Sequence, residues 1–193
     1  RIAFALQPQA RRVLVVGGVS QFDERQLQMA RAALQPYRER LDIEFLVGPS
    51  PQAAAERLAR ENLETIVLYM TLFRDAAGQL YVPREVAATL IAASGAPIYG
   101  IFEPHLGHGL VAGAMESFTD LGHRVGDLVA SALANPSAAA PVAQPPPPSK
   151  CLADNRQLKR FGLNPKALPA GCELRFVEVP LLQRYWWQAT ALA

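Results

Sequence analysis

Four short runs of β-branched and aromatic residues recur along the first hundred residues, and the stretches between them carry apolar residues at helical spacing. The runs are VLVVGG at 13–18, IEFLV at 43–47, TIVLYM at 65–70 and IYGIF at 98–102. Runs this short and this continuously apolar suit strands buried on both faces. After the first run, Ser20 to Asp23 supply capping chemistry, and Leu27, Ala30, Leu34, Tyr37 and Leu41 step by three and four along one helix face. Ser50 and Pro51 place a cap and a first-turn proline before a second helix reaching about Glu61. Pro83 opens a third helix that ends near Ser94 and Gly95. This β-α-β-α-β-α-β order predicts an α/β fold: a doubly wound parallel sheet with helices on both faces. One more short strand (LVAGAM, 110–115) follows, then a helix with Phe118, Leu121, Val125, Leu128 and Ala132 on one stripe.

Composition narrows the function classes. With 193 residues, 50% hydrophobic, and a mean hydropathy of +0.08, the chain is not a disordered one. No stretch reaches the roughly 18 to 20 unbroken apolar residues of a membrane span. The net charge is only +2, with 19 basic residues spread along the chain against 17 acids, so no nucleic-acid footprint is expected. The chain begins at Arg1 and reads as a segment of something longer, with no signal peptide.

Three segments emerge. Residues 1–135 form the α/β ligand-binding lobe. Residues 136–149 hold six prolines, four of them consecutive, and read as a polyproline-like linker or an extended arm laid over the surface. Residues 150–193 form a small C-terminal α+β appendage. Within it, Asp154 caps a short helix (155–163), residues 168–171 turn, and residues 173–179 alternate as a strand. Cys151 and Cys172 flank that helix. They either close a disulfide, in an oxidising compartment, or remain separate thiols. Tyr185, Trp186 and Trp187 crowd the chain end, as at a membrane–water interface or as aromatics packed back onto the domain.

In open parallel sheets, ligands bind where loops leave the carboxyl ends of the strands. Four loops converge there: 17–22, 48–50, 71–79 and 103–109. The first lacks the glycine spacing of a dinucleotide fingerprint and the lysine of a phosphate loop. Arg74 either grips a carboxylate or phosphate with paired hydrogen bonds or pairs with Asp75. Phe73 is either an apolar wall or, the favoured reading, a plug beneath the loop. Glu103, His105 and His108 have metal-ligand chemistry, but no second cluster supports a metal, so none is expected. His123 falls off the apolar stripe and reads as exposed. Ser20 follows a strand but lacks a marked base, and no nucleophile elbow occurs. No cofactor and no enzymatic activity are expected. Loop position selects Ser20, Phe22, Phe73, Arg74, Phe102, Glu103 and His105 as ligand-binding residues.

Several stretches carry a resemblance. LYMTLFRDAAGQLYVPREV (68–86) and PIYGIFEPHLGHGLVAGAMESFTDLGHRVGDLV (97–129) resemble the periplasmic sensor regions of bacterial hybrid sensor histidine kinases. Those regions are in turn similar to ABC-transporter solute-binding proteins of the tryptophan/tyrosine type. DNRQLKRFGL (154–163), LPAGCELRFVEVP (168–180) and LLQRYWWQ (181–188) resemble the segment that leads those kinases into a transmembrane helix. Cys172 stands where that pattern usually has serine, Leu182 where it has tryptophan, and the linker is longer and richer in proline.

The resemblance implies one lobe of a type I periplasmic-binding-protein fold, mainly the second lobe, with a first lobe expected before Arg1. It implies an extracytoplasmic sensor region of a transmembrane signal-transduction kinase, held at the inner membrane by a span after the C-terminus. A solute-binding protein serving a permease is the alternative. The expected partner is a small molecule, loosely an amino acid or aromatic acid. The stripe of the 118–134 helix would pack on the missing lobe, and otherwise needs the tail or a second molecule, as in a homodimer, to cover it.

Overall fold

The computed structural model describes residues 1–134 and 148–178. Most of the proline-rich linker, and the tail from 179 onward with its tyrosine and two tryptophans, lie outside the described residues.

β1 (Arg12–Gly17) runs through the centre of the first three strands, between β2 (Asp42–Val47) and β3 (Thr65–Tyr69). All three are parallel, with Arg12 in register with Asp42 on one side and Thr65 on the other. β4 (Ile98–Gly100) and β5 (Ala112–Met115) continue the parallel sheet outward from β3. Val13, Leu14, Val15 and Val16 are all fully buried. Val13 and Val15 join one core cluster and Leu14 and Val16 the other, the alternation expected of a strand covered on both faces.

The two faces take different helices. α1 (Ile2–Leu6) and α2 (Gln21–Leu34) share a core with Val13, Val15, Ile66 and Tyr99, to which α2 contributes Leu27, Ala30 and Leu34. α3 (Pro51–Leu58) and α4 (Pro83–Ala93) pack on the opposite face through Ala54, Leu58, Val86 and Leu90. No residue pattern announces α1, which is short and lies before the first legible strand.

Residues 150–178 are hydrogen-bonded into the lobe's own sheet. β6 (Lys150–Asp154) pairs antiparallel with β5, and β7 (Glu173–Arg175) pairs parallel with β6, completing the order β2-β1-β3-β4-β5-β6-β7. β6 is illegible in the sequence: Lys150 and Asp154 bracket only three less polar residues behind a proline run. The strand expected over 173–179 stops at Arg175 because Phe176 takes a left-handed backbone, φ 55°, which no extended ladder accommodates. α6 (Asn155–Arg160) is capped by Asp154, as expected, and buries Leu158 on the α2 face.

Pairing of β6 with β7 brings Cys151 and Cys172 together, Cα atoms 4.5 Å apart, and they form a disulfide. That resolves the alternative left open by spacing alone.

α5 (Phe118–Ala134) buries none of its residues. Phe118, Leu121, Val125, Val129 and Leu133 are between 42% and 74% exposed, a long apolar face that the other described residues leave largely uncovered. The expected stripe of Phe118, Leu121, Val125, Leu128 and Ala132 shares its first three residues with this face, which continues instead through Val129 and Leu133, while Leu128 is half-buried.

Candidate functional site

The loops at 17–22, 48–50, 71–79 and 103–109 meet along the carboxyl edge of the parallel strands. Backbone bonds tie the first three together. Gly18 N–H donates to the Thr71 carbonyl and Val19 N–H to that of Arg74, both at 2.8 Å. Ala76 N–H donates to the Gly48 carbonyl at 2.9 Å. Gly18 is required by proximity: a Cβ there would collide with the Asp23 carboxylate and lie 2.6 Å from the Arg74 carbonyl.

Asp23 organises this corner. It forms a reciprocal capping box with Ser20, whose hydroxyl accepts from Asp23 N–H at 3.1 Å while Ser20 N–H donates to Asp23 Oδ2 at 3.0 Å. The same fully buried carboxylate accepts from Phe73 N–H at 3.1 Å and Arg74 N–H at 3.4 Å, fifty residues away in sequence. The capping chemistry of Ser20 to Asp23 was legible. The reach of Asp23 to the other loop was not.

Four aromatic rings gather beside this tie. Phe22 meets Phe73 edge-on with centroids 5.7 Å apart, and lies 6.1 Å from Phe102. Phe102 in turn lies 5.7 Å from Phe118 and 6.1 Å from His105. With Thr71, Val82, Pro83 and Arg84 they line an apolar cleft of about 310 Å³. Tyr69 supports the floor: its buried hydroxyl donates to the Pro83 carbonyl at 2.8 Å, burial raises its pKa, and its ring lies 5.5 Å from His105.

Of the seven residues selected from sequence, Phe22, Phe73, Phe102 and His105 line this one cleft, and Ser20, Arg74 and Glu103 do not. Ser20 is a helix cap. Arg74 is exposed and donates to the Val19 carbonyl at 3.1 Å. It does not pair with Asp75, whose carboxylate accepts from Tyr81 O–H at 2.8 Å and Gln79 N–H at 2.9 Å. The Tyr81 hydroxyl holds that carboxyl below the usual range. Glu103 is half-buried in a short 3-10 turn beside the cleft. Phe73, favoured as a plug, is instead a wall, 40% exposed. Its N–H is held by Asp23, and its ring packs edge-on against Phe22.

Two residues lining the cleft carry buried polar atoms, Thr71 Oγ1 and His105 Nδ1, that make no hydrogen bond among the described residues; the residues are only 2% and 6% exposed. Burial, with smaller contributions from the neighbouring His108 and Arg84, lowers the His105 pKa to about 4, so its imidazole is neutral at pH 7. A ligand group that hydrogen-bonds there recovers the cost of leaving such atoms unpaired. At the rim, the exposed Arg84 follows Pro83 in the first turn of α4, which also holds Glu85. The arrangement can therefore hold a flat apolar body against rings and offer a polar substituent the unpaired groups of Thr71 and His105, with the Arg84 cation at its mouth. Thr71, Arg84 and Phe118 were missed. Thr71 is marked only by its place just past β3, Arg84 by its helix-start position, and Phe118 read as part of the helix stripe.

Among the described residues no group of His, Cys, Asp and Glu is placed to hold a metal. His123 is exposed, as read. No helix among the described residues is long and apolar enough to cross a membrane.

No family model matches the chain, and no curated protein matches it in sequence. Solved structures do share its fold. An ABC domain from Streptococcus pneumonia, solved in complex with L-Trp, is 15% identical with a TM-score of 0.65, covering 90% of this chain and 57% of that one. A conserved domain protein from Vibrio cholerae is 14% identical with a TM-score of 0.67, covering 89% and 56%. A substrate binding protein with adhesive properties from Clostridium difficile, in its ligand-free, open form, is 11% identical with a TM-score of 0.60, covering 90% and 57%. The chain thus spans a little over half the length of each and has the α/β fold of a binding-protein lobe.

Proposed function

We propose that this chain is one lobe of an extracytoplasmic, small-molecule-binding sensor region belonging to a membrane-anchored signal-transduction histidine kinase. The ligand lies in the aromatic cleft, bridges to a second lobe seated on the apolar face of α5, and draws the two together. A ligand shifts such an equilibrium only by its differential affinity for the open and closed states, so closure requires contacts made by both lobes.

The observation that carries this reading is the cleft itself: four rings beside two buried polar atoms that make no hydrogen bond among the described residues, at the carboxyl edge of a parallel sheet. Phe118 belongs both to that cleft and to the largely uncovered face of α5, so whatever covers the helix also closes over the ligand. One fold neighbour is a substrate binding protein and another was solved in complex with L-Trp, which favours binding over catalysis and makes an aromatic amino acid the first ligand to try. The Cys151–Cys172 disulfide suits an oxidising, periplasmic location. The tail beyond the described residues, with the kinase-like pattern quoted above, supports a tether to the inner membrane.

A carrier that delivers its solute to a permease is the second reading, supported by the substrate binding protein among the neighbours. A second copy of the chain on α5 is the alternative to a second lobe. The test is thermal-shift screening of the full-length protein against amino acids and aromatic acids, L-tryptophan first. Ligand at about a hundred times its Kd stabilises by about 2.7 kcal/mol. A flat response across the panel overturns the binding reading. A span and kinase domain following this segment supports the sensor, and a chain that stops supports the carrier.

A further inference from the structure

Phe176 is the one non-glycine residue among the described residues whose backbone φ is positive. A side chain stays in that region only where its surroundings hold it. Here they do. The Phe176 ring lies on Gly107, so close that a Cβ on Gly107 would come within 2.7 Å of the ring's Cζ. The guanidinium of Arg156 stacks on the same ring, 4.0 Å from its centroid. Arg156 Nη2 also donates to the Gly107 carbonyl at 3.1 Å, and the guanidinium pairs with the fully buried Asp154 at 2.7 Å. Asp154 is itself tied to the sheet, its N–H donating to the Val111 carbonyl at 2.9 Å. Gly107 belongs to the turn that carries Phe102 and His105, two walls of the cleft. One cation therefore joins the cleft wall, the sheet and the chain leaving β7.

We infer that Arg156, Phe176 and Gly107 form a clasp coupling the cleft wall to the start of the C-terminal segment: moving the 103–109 turn unseats Phe176, and its backbone relaxes out of the left-handed region. The clasp has two arrangements because the φ of Phe176 is tolerated only while the ring is seated. What moves the turn, a ligand entering the cleft, rests on the function proposed above. The clasp itself does not. The Phe176 backbone would then redirect Val177 and Glu178, the latter in an exposed pair with Lys159 at 3.1 Å.

Coupling of this kind is reciprocal, so it is readable from either end without a ligand. Amide hydrogen exchange on the 193-residue chain is the test. Phe176→Gly removes the ring while suiting the backbone, at a residue already 45% exposed. It is expected to speed exchange of the Leu106 and His108 amides, which donate to Glu103 and His105 within the turn, by about fivefold or more, with α3 unchanged. Phe102→Leu at the cleft wall is expected to speed exchange over 173–178 in the same way. If either variant also loosens α3, Arg156→Lys, which keeps the charge beside Asp154 but loses the planar stacking, decides: a local effect on 103–109 supports the clasp. Unchanged exchange at the far end in both directions, or in the Arg156→Lys chain, overturns it. A full-length protein that binds no L-tryptophan would leave the exchange result standing, and absent coupling would sink the clasp even where L-tryptophan binds.

Discussion

Asp23→Ala is expected to be among the most damaging single changes at the carboxyl edge. The carboxylate is fully buried and serves the backbone N–H groups of Ser20, Phe73 and Arg74. Losing the capping-box partner costs about 1 kcal/mol. Two further donors, the Phe73 and Arg74 N–H groups, lose their acceptor, and each costs about 1 to 3 kcal/mol when left unpaired. Together these amount to about 3 to 7 kcal/mol, a large part of a typical domain's stability. Ser20→Ala is the comparison: its hydroxyl caps only Asp23 N–H, so it costs about 1 kcal/mol. Urea unfolding of the three proteins, with m values checked for constancy, reads both numbers. Hydrogen exchange at Phe73 and Arg74 should rise in the Asp23 variant and stay unchanged in the Ser20 variant. Equal costs for the two variants would refute the reasoning, because the tie between the loops would then contribute nothing beyond helix capping.

Two other outcomes are expected. Replacing both cysteines, as C151S/C172S, removes a bridge across 21 positions and lowers stability by about 3 kcal/mol on the chain-entropy account, which thermal unfolding would register as a fall in Tm of roughly 6 to 12 °C. His105 is depressed from 6.5 to about 4 by burial, so the folded chain binds fewer protons than the unfolded chain between those values. Its contribution is therefore intact above pH 6.5 and is lost as pH falls toward 4, by about 3 kcal/mol in all. Denaturation midpoints across this window should lose that slope in His105→Leu, and a slope that persists unchanged would assign it elsewhere.

The strands and helices of the parallel half were legible because each must bury a continuous or periodic apolar surface, and that requirement is written locally. The run at 13–16 announces a two-faced strand, and Ser20, Ser50 and Pro83 announce helix starts. β6 was illegible for the opposite reason. Lys150 to Asp154 is too short a run, bracketed by charges behind a proline stretch, to announce a strand by itself, and it becomes one because β5 offers an unpaired edge. The end of β7 was misplaced because alternation in the sequence says nothing of the seat that Gly107 gives Phe176.

At the site, sequence position alone identified the loops, since strand ends in a parallel sheet define one edge. It supplied Phe22, Phe73, Phe102 and His105, and it could not separate them from Ser20, Arg74 and Glu103, which sit in the same loops. That separation depends on where backbone bonds spend themselves. Asp23 holds the Phe73 N–H, Val19 occupies Arg74, and the capping box occupies Ser20. The amino-acid order thus determined the α/β class, the helix starts and the edge where a ligand is sought, because local hydrophobic pattern and capping chemistry need no distant partner. Only the tertiary structure decided the disulfide, the largely uncovered face of α5 and the two unpaired atoms on residues lining the aromatic cleft, because each depends on which remote groups come within a few ångströms of one another.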